Sequence, residues 1–120
     1  MLDVHTENIG ELAVVECEAG VLQNEAAFTL WEAVTSQRNA RIILLDLSEV
    51  RAVEGAALGM LVFLQRWAHD HDIRFKLFNP SKSVHDQLDC FNSMAEVDIA
   101  TVDEAVALLA SADRPYGLAA

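Results

Sequence analysis

Positive charge is scarce in this chain. Its 8 lysines and arginines stand against 19 aspartates and glutamates, a formal net charge of -11 over 120 residues. A surface of that sign repels phosphate backbones, so nucleic acid is not an expected partner, and a basic or apolar protein fits better. Long apolar runs are missing too. The longest, "AALGMLVFL" from Ala56 to Leu64, has 9 residues where a spanning helix needs roughly 20, so membrane insertion is not expected. The opening "MLDVHTENIGEL" has neither a basic n-region nor an apolar h-region. A soluble, cytoplasmic protein is the expectation. The 2 cysteines, Cys17 and Cys90, form no CxxC pair and read as small buried residues kept reduced. Sequence alone does not say whether they pair.

Catalytic motifs are absent as well. There is no GxSxG elbow, P-loop or GxGxxG, and "GAALG" at 55–59 has neither the lysine nor the spacing that a phosphate cradle needs. "HDHD" at 69–72 offers metal-ligand types, but residues one or two apart on a helix do not face each other. At a helix end such residues are ordinary, and a histidine there complements the helix dipole. No catalytic residue, cofactor or metal is expected. The helix start after Glu54 can attract an anion through its free N–H groups, as any helix start can, and Glu54 itself is the nearer negative charge.

What the chain does have is a core. Hydrophobic residues make up 52% and charged residues 22%, which suits one folded domain. "LDVHTE" and "LAVVECE" flank the turn-like "NIG" and read as paired strands. Asn24 is placed to cap a helix over "EAAFTLWEAVTSQ", whose apolar positions 27, 30, 31 and 34 recur at helical spacing. "RIILLDL" reads as a strand buried on both faces. An acidic loop and a helix over 56–69 follow. "IRFKLFN" alternates Ile73, Phe75 and Leu77 with Arg74 and Lys76, the pattern of a half-buried strand.

Ser81 is a plausible cap for a helix over "KSVHDQLDCF", and "EVDIA" reads as a short strand. Thr101 and Glu104 stand at capping-box spacing, which starts the last helix near Val102. The order β-β-α-β-α-β-α-β-α predicts an α/β domain over 1–112 with a mixed, mostly parallel sheet flanked by helices. Residues 113–120 read as a flexible tail.

The helix over 56–69 carries two apolar stripes. Leu61, Leu64 and Ala68 form one, and Ala56, Met60, Phe63 and Trp67 form its neighbour. A helix lying on one sheet needs one buried face. The spacing predicts that Phe63 and Trp67 pack against the helix bearing Phe28 and Trp31. It leaves the small residues near Ala56, together with Met60, open for docking.

Several of these positions fall into a familiar order. Asp46, Leu47, Ser48 and Val50 follow the aliphatic strand. Leu58, Gly59 and Leu61 enter the helix, Asn79 and Pro80 end the next strand, and Val84 and Leu88 lie in the helix beyond. In order and spacing these residues resemble the central signature of STAS domains, the anti-sigma factor antagonist family. The resemblance extends to "TVDEAVALL", similar to the family's closing helix, and implies a single STAS-like α/β domain of a bacterial signalling protein. In the family's phospho-switch members an Asp precedes a Ser or Thr, and phosphate on that hydroxyl breaks a contact with a partner kinase or anti-sigma factor. Here Glu54 holds the acidic position, Gly55 the switch position, Ala56 the next, and Ala57 the usual glycine. Gly20 and Leu22 fit the family's G-x-L-D segment, with Gln23 in place of the acid. Gly55 has no hydroxyl, so no phosphate can be attached there.

The resemblance therefore implies a non-catalytic module of transcription control. Its docking residues would be Glu54, Gly55, Ala56, Ala57, Leu58 and Met60, and its partner an anti-sigma factor or serine kinase. Some relatives without the switch residue serve instead in phospholipid-transport ABC complexes, beside a transporter ATPase, or in stress-signalling scaffolds. Homo-oligomers are compatible with each of these roles. A nucleotide-binding protein or enzyme built on the Glu54 loop lacks a nucleophile, a general base and a phosphate motif.

Overall fold

A computed structural model describes residues 3–18, 20–54, 56–92 and 99–112. Strands β1 (Asp3–Ile9) and β2 (Leu12–Glu18) form an antiparallel hairpin closed by the pair Ile9 and Leu12. The turn lies at Gly10 and Glu11, not across "NIG", because the positive φ of 60° that a two-residue turn demands falls on Gly10. Asn8 and Ile9 belong to the strand. After β3 (Val21–Leu22) comes α1 (Asn24–Thr35), then β4 (Ile42–Asp46) and β5 (Ala52–Val53). Helix α2 (Ala56–Asp70), strand β6 (Arg74–Phe78), helix α3 (Lys82–Asn92), strand β7 (Ile99–Ala100) and helix α4 (Val102–Ala112) complete the order. The expected tail over 113–120 and the first part of "EVDIA" lie outside the described residues.

The main sheet has the order β1-β2-β4-β6-β7, and every pairing except β1 with β2 is parallel. Strand β4 sits at its centre. Ile43, Leu44 and Leu45 are buried, as a strand covered on both faces requires. Strands β3 and β5 pair with each other in a separate two-stranded ribbon that the sequence reading did not foresee. Two residues are too few to leave an alternation pattern.

The two faces of the main sheet are unequal. One carries Ala13, Val15, Ile43, Leu45, Phe75 and Leu77 in the large core, which they share with buried residues of α1, α2 and α3. The other holds a small cluster of Leu12, Leu44, Ala100 and Ala105, the last from α4. Lys76 lies on that second face and is buried, contrary to the half-buried strand expected from its alternation. Alternation in sequence assigns a residue to a face but does not say whether a helix will cover it. Here the Lys76 ammonium lies 3.6 Å from the Glu104 carboxylate of α4.

Helix starts obey local chemistry with one exception. Ser81 caps α3 by accepting the Val84 N–H at 3.2 Å. Thr101 and Glu104 form the capping box of α4: the Thr101 N–H donates to Glu104 at 3.1 Å, and the Glu104 N–H donates to the Thr101 hydroxyl at 3.1 Å. Helix α1 departs from expectation. Gln23 is its cap, in extended backbone and with no side-chain bond, and Asn24 is already helical. The neighbouring β3 pairing holds the backbone extended through Leu22 and leaves Gln23 as the point of entry. Among the described residues, no helix is long and apolar enough to cross a membrane.

The Thr101 N–H, and then the Lys76 ammonium, hold the Glu104 carboxyl below its ordinary 4.5. A depressed carboxyl adds stability that is present above its unfolded-state titration and is lost as the pH falls through the folded-state value. Glu104→Gln is thus expected to destabilise the protein at neutral pH and to flatten part of its decline in acid. Urea unfolding midpoints of both proteins, at neutral pH and below the carboxyl's titration, measure this.

Candidate docking surface at the entrance of α2

The parallel strands deliver the chain to one end of the sheet, where β4 and β6 stop. Asp46 ends β4, and its carboxylate accepts the Ser48 N–H at 2.9 Å, closing a tight local turn. The Leu47 N–H donates to the Phe78 carbonyl at 3.0 Å, and the Val50 N–H to the Leu47 carbonyl at 3.0 Å. Leu47 and Val50 are buried, while Ser48 and Glu49 face water. Of the family-like motif, the apolar residues anchor the turn and the Asp shapes it.

From there the backbone is held on two sides. The Arg51 and Ala52 N–H groups donate to the Gly20 carbonyl at 2.8 and 3.3 Å, and the Glu54 N–H donates to the Leu22 carbonyl at 2.9 Å. On the other side Gln87 of α3 clamps Val53. Its amide donates to the Val53 carbonyl at 2.7 Å and its oxygen accepts the Val53 N–H at 3.2 Å. Gln87 was not singled out from sequence. The only hint was a polar residue between Val84 and Leu88, which are both buried.

The small residues differ in what surrounds them. A Cβ at Gly20 would stand 2.9 Å from the Arg51 guanidinium, the end of a flexible, exposed side chain that can shift aside. Gly59, in α2, shows the reverse: among the described residues, a Cβ there would meet nothing within 4 Å. Its smallness answers no packing need among the described residues.

The expected docking residues divide accordingly. Glu54 and Ala56 are exposed, and Leu58, Gly59 and Met60 are half-buried. Ala57 is fully buried in the core, so it supports this surface from beneath and does not line it. Gly55 lies outside the described residues. Further along α2, Met60 and Trp67 pack on the core as half-buried side chains. Phe63 is 62% exposed and Phe28 of α1 is 64% exposed, so the expected packing of Phe63 against α1 does not form. The buried stripe of α2 is Ala57, Leu61, Leu64 and Ala68, and Phe63 lies outside it.

"HDHD" is a helix terminus. The His71 N–H donates to the Trp67 and Ala68 carbonyls at 3.1 Å each, and His71 Nδ1 lies 2.8 Å from the Trp67 carbonyl oxygen. Asp72, with φ 58°, takes the left-handed turn that ends the helix, and the Ile73 N–H reaches back to Ala68 at 2.8 Å. Among the described residues, no group of three or more His, Cys, Asp or Glu side chains is placed to hold a metal ion. Cys17 is buried, and that burial, followed by the charge of Asp46, pushes its thiol up to about 11. It is a packing residue and is not poised as a thiolate.

Gln87→Ala should leave the buried Val53 N–H and carbonyl without side-chain partners, at a cost of about 1–3 kcal/mol. Amide exchange at Val53 and Glu54 is expected to quicken in that variant while exchange in β4 keeps its rank as the slowest, which hydrogen-exchange mass spectrometry can read.

No protein-family model and no curated protein matches the chain by sequence. Solved structures do match by shape. An anti-sigma factor antagonist of Mycobacterium paratuberculosis is similar with a TM-score of 0.71 and 16% identity, over 92% of this chain and 95% of that one. Unphosphorylated SpoIIAA, an anti-sigma factor antagonist, gives 0.68 and 16% identity over 92% and 97% of the two chains. The murine anion transporter Slc26a9 gives 0.71 and 14% identity over 88% of this chain but 18% of the transporter. The chain therefore has the fold of the anti-sigma factor antagonists, the STAS fold that its central motifs resemble.

Proposed function

We propose that this chain is a non-catalytic, cytoplasmic protein-binding module of the anti-sigma factor antagonist kind. It docks on an anti-sigma factor or serine kinase through Glu54, Gly55, Ala56, Leu58 and Met60, and Gly59 is the point of closest approach. Ala57 holds the surface from below. The observation that carries this reading is Gly59. A glycine inside a helix costs about 0.5–1 kcal/mol relative to alanine, and no contact among the described residues requires it. Smallness without an internal reason suits a partner backbone or helix that must come close. Gly55 removes the hydroxyl on which a phosphate off-signal would act, so the docking surface stays available. A phosphate would otherwise add about -1.5 to -2 charges and a desolvation cost to the contact.

Two substitutions separate this reading from a purely structural one. Gly59→Ala is expected to raise stability by about 0.5–1 kcal/mol while weakening the partner complex. A structural role would instead leave binding untouched. Ala56→Glu and Met60→Glu place a charge in the contact and should weaken binding at least about tenfold with the fold retained. Calorimetric titration against a co-purified anti-sigma factor, beside thermal melts, gives both readouts. Unchanged affinity in all three variants would remove this surface from the interface.

A second reading draws on the likeness to part of Slc26a9: the same fold serving as a module of a membrane-transport complex, with a transporter ATPase as partner. Affinity purification from the host separates the two. A co-purifying transporter ATPase would favour transport, and a kinase of the anti-sigma type would favour transcription control.

A further inference from the structure

Strand β1 is the outer edge of the main sheet. Its 7 residues pair with β2 on one side, and among the described residues no strand lies on the other. Natural edges are usually closed by proline, lysine, a bulge or extreme shortness. The strand "DVHTENI" has no proline or lysine, and its register with β2 runs unbroken from Asp3 to Ile9. Counting back from the closing pair Ile9 and Leu12, the antiparallel alternation turns the N–H and C=O groups of Val4, Thr6 and Asn8 away from β2.

The fixed charge beside this edge has one sign. Residues 3–18 hold the carboxylates of Asp3, Glu7, Glu11, Glu16 and Glu18, and no lysine or arginine. Alternation and register set His5, Glu7, Glu16 and Glu18 on one face, with Asp46 of β4 level with Glu16. Nearby cations are engaged: Arg41 lies 3.3 Å from Glu11 at the turn, and Lys76, three strands in, lies 3.6 Å from Glu104. A second copy of β1 would bring more carboxylates to that face, where like charges repel. Hydrogen bonding leaves the edge open, and charge selects what can fill it.

We propose that β1 is a docking edge for an extended, basic segment of another protein, which joins the sheet as an antiparallel strand. Its backbone exchanges hydrogen bonds with Val4, Thr6 and Asn8. Lysine or arginine at its alternate positions lies over the face of Glu7, Glu16 and Glu18. Residues opposite His5 and Glu7 occupy the non-hydrogen-bonded pairs of the new ladder, where side chains stand closest. A cation opposite Glu7 is thus a directly opposed, unlike pair, the kind that favours a ladder. Strand β1 shares no residue with the docking surface at α2, so this contact stands apart from the one proposed there.

Titration of the full chain at low ionic strength tests this, with a short synthetic peptide of alternating lysine and threonine as the probe. A matched peptide with N-methylated threonines keeps the charge and loses the N–H groups that would face the edge. The unmethylated peptide is expected to bind about tenfold or more tighter than its methylated match. It should also slow the amide exchange of Val4, Thr6 and Asn8, read by NMR. Glu7→Lys, at an exposed position, should weaken its binding about tenfold. Thr6→Pro removes an N–H that β2 does not use and should lower affinity to that of the methylated peptide. The methylated peptide needs no variant, so a Thr6→Pro chain that fails to fold leaves the test intact. Met60→Glu should bind the probe unchanged, which tells failure at this edge from failure at α2. No saturable binding overturns the proposal, and so does equal affinity for the two peptides, which would mean charge attraction without strand pairing. Self-association of the chain that Thr6→Pro abolishes would give the edge to a second copy and overturn it as well.

Discussion

Strand β4 places three consecutive buried residues, Ile43, Leu44 and Leu45, at the centre of the sheet, and most of the architecture follows from satisfying them. Their side chains point alternately to two faces, so both faces need cover. Their backbone groups need a strand on each side, which β2 and β6 supply in parallel. Parallel neighbours require crossovers, and α1 and α2 are those crossovers. Register is fixed by the same burial. Val15, Leu45 and Leu77 form one row across three strands, all fully buried. The next row, Glu16, Asp46 and Phe78, carries two carboxylates. A slip of one residue that brings Glu16 or Asp46 into the buried row would exchange an aliphatic for a charge, at the loss of about 1.5–3 kcal/mol per large side chain before the charge is counted.

The unequal faces explain the second group of interactions. The large core closes on α1, α2 and α3, while among the described residues α4 supplies the helix side chain in the cluster on the other face. Lys76 is buried there with the Glu104 carboxylate 3.6 Å from its ammonium, and a buried ion pair is by itself weak evidence of net stabilisation. The pairing is better understood as positional. Glu104 is at once the capping partner of Thr101 and the anion opposite Lys76, so the start of α4 and its seat on the sheet are set by the same side chain. The short β7, which pairs with the end of β6 and leads directly into Thr101, brings it there.

Legibility in the sequence tracked how local the cause was. The β4 run, the Ser81 cap and the capping box at Thr101 and Glu104 depend on residues within a few positions, and they read correctly. The features that were misread depend on distant partners. Lys76 looked solvent-facing because α4 is far along the chain. Asn24 looked like a cap because the β3 and β5 ribbon, which fixes the backbone before α1, is too short to leave a pattern. Phe63 looked packed because stripe spacing cannot say which of two adjacent faces a neighbouring helix will take. At the site, the composition of the loop was legible, and the Gln87 clamp was not, since a single glutamine 34 positions away carries no signal of its own.

That clamp bears on what a surface without reactive groups can do. Val53 is held by Gln87, Glu54 by Leu22, and Arg51 and Ala52 by Gly20, so the backbone from Arg51 to Glu54 is held before any partner arrives. Fixing it in advance lowers the entropy that a complex must lose, and the alanine and glycine of that surface have no side-chain rotamers to freeze. The two glycines divide along the same line. A Cβ at Gly20 would meet the movable end of Arg51, whereas one at Gly59 would meet nothing among the described residues. Room at Gly59 that no described residue fills suits an external contact. A docking surface built this way gains affinity from shape and preorganisation, and with no hydroxyl at Gly55 its control would rest on how much partner is present.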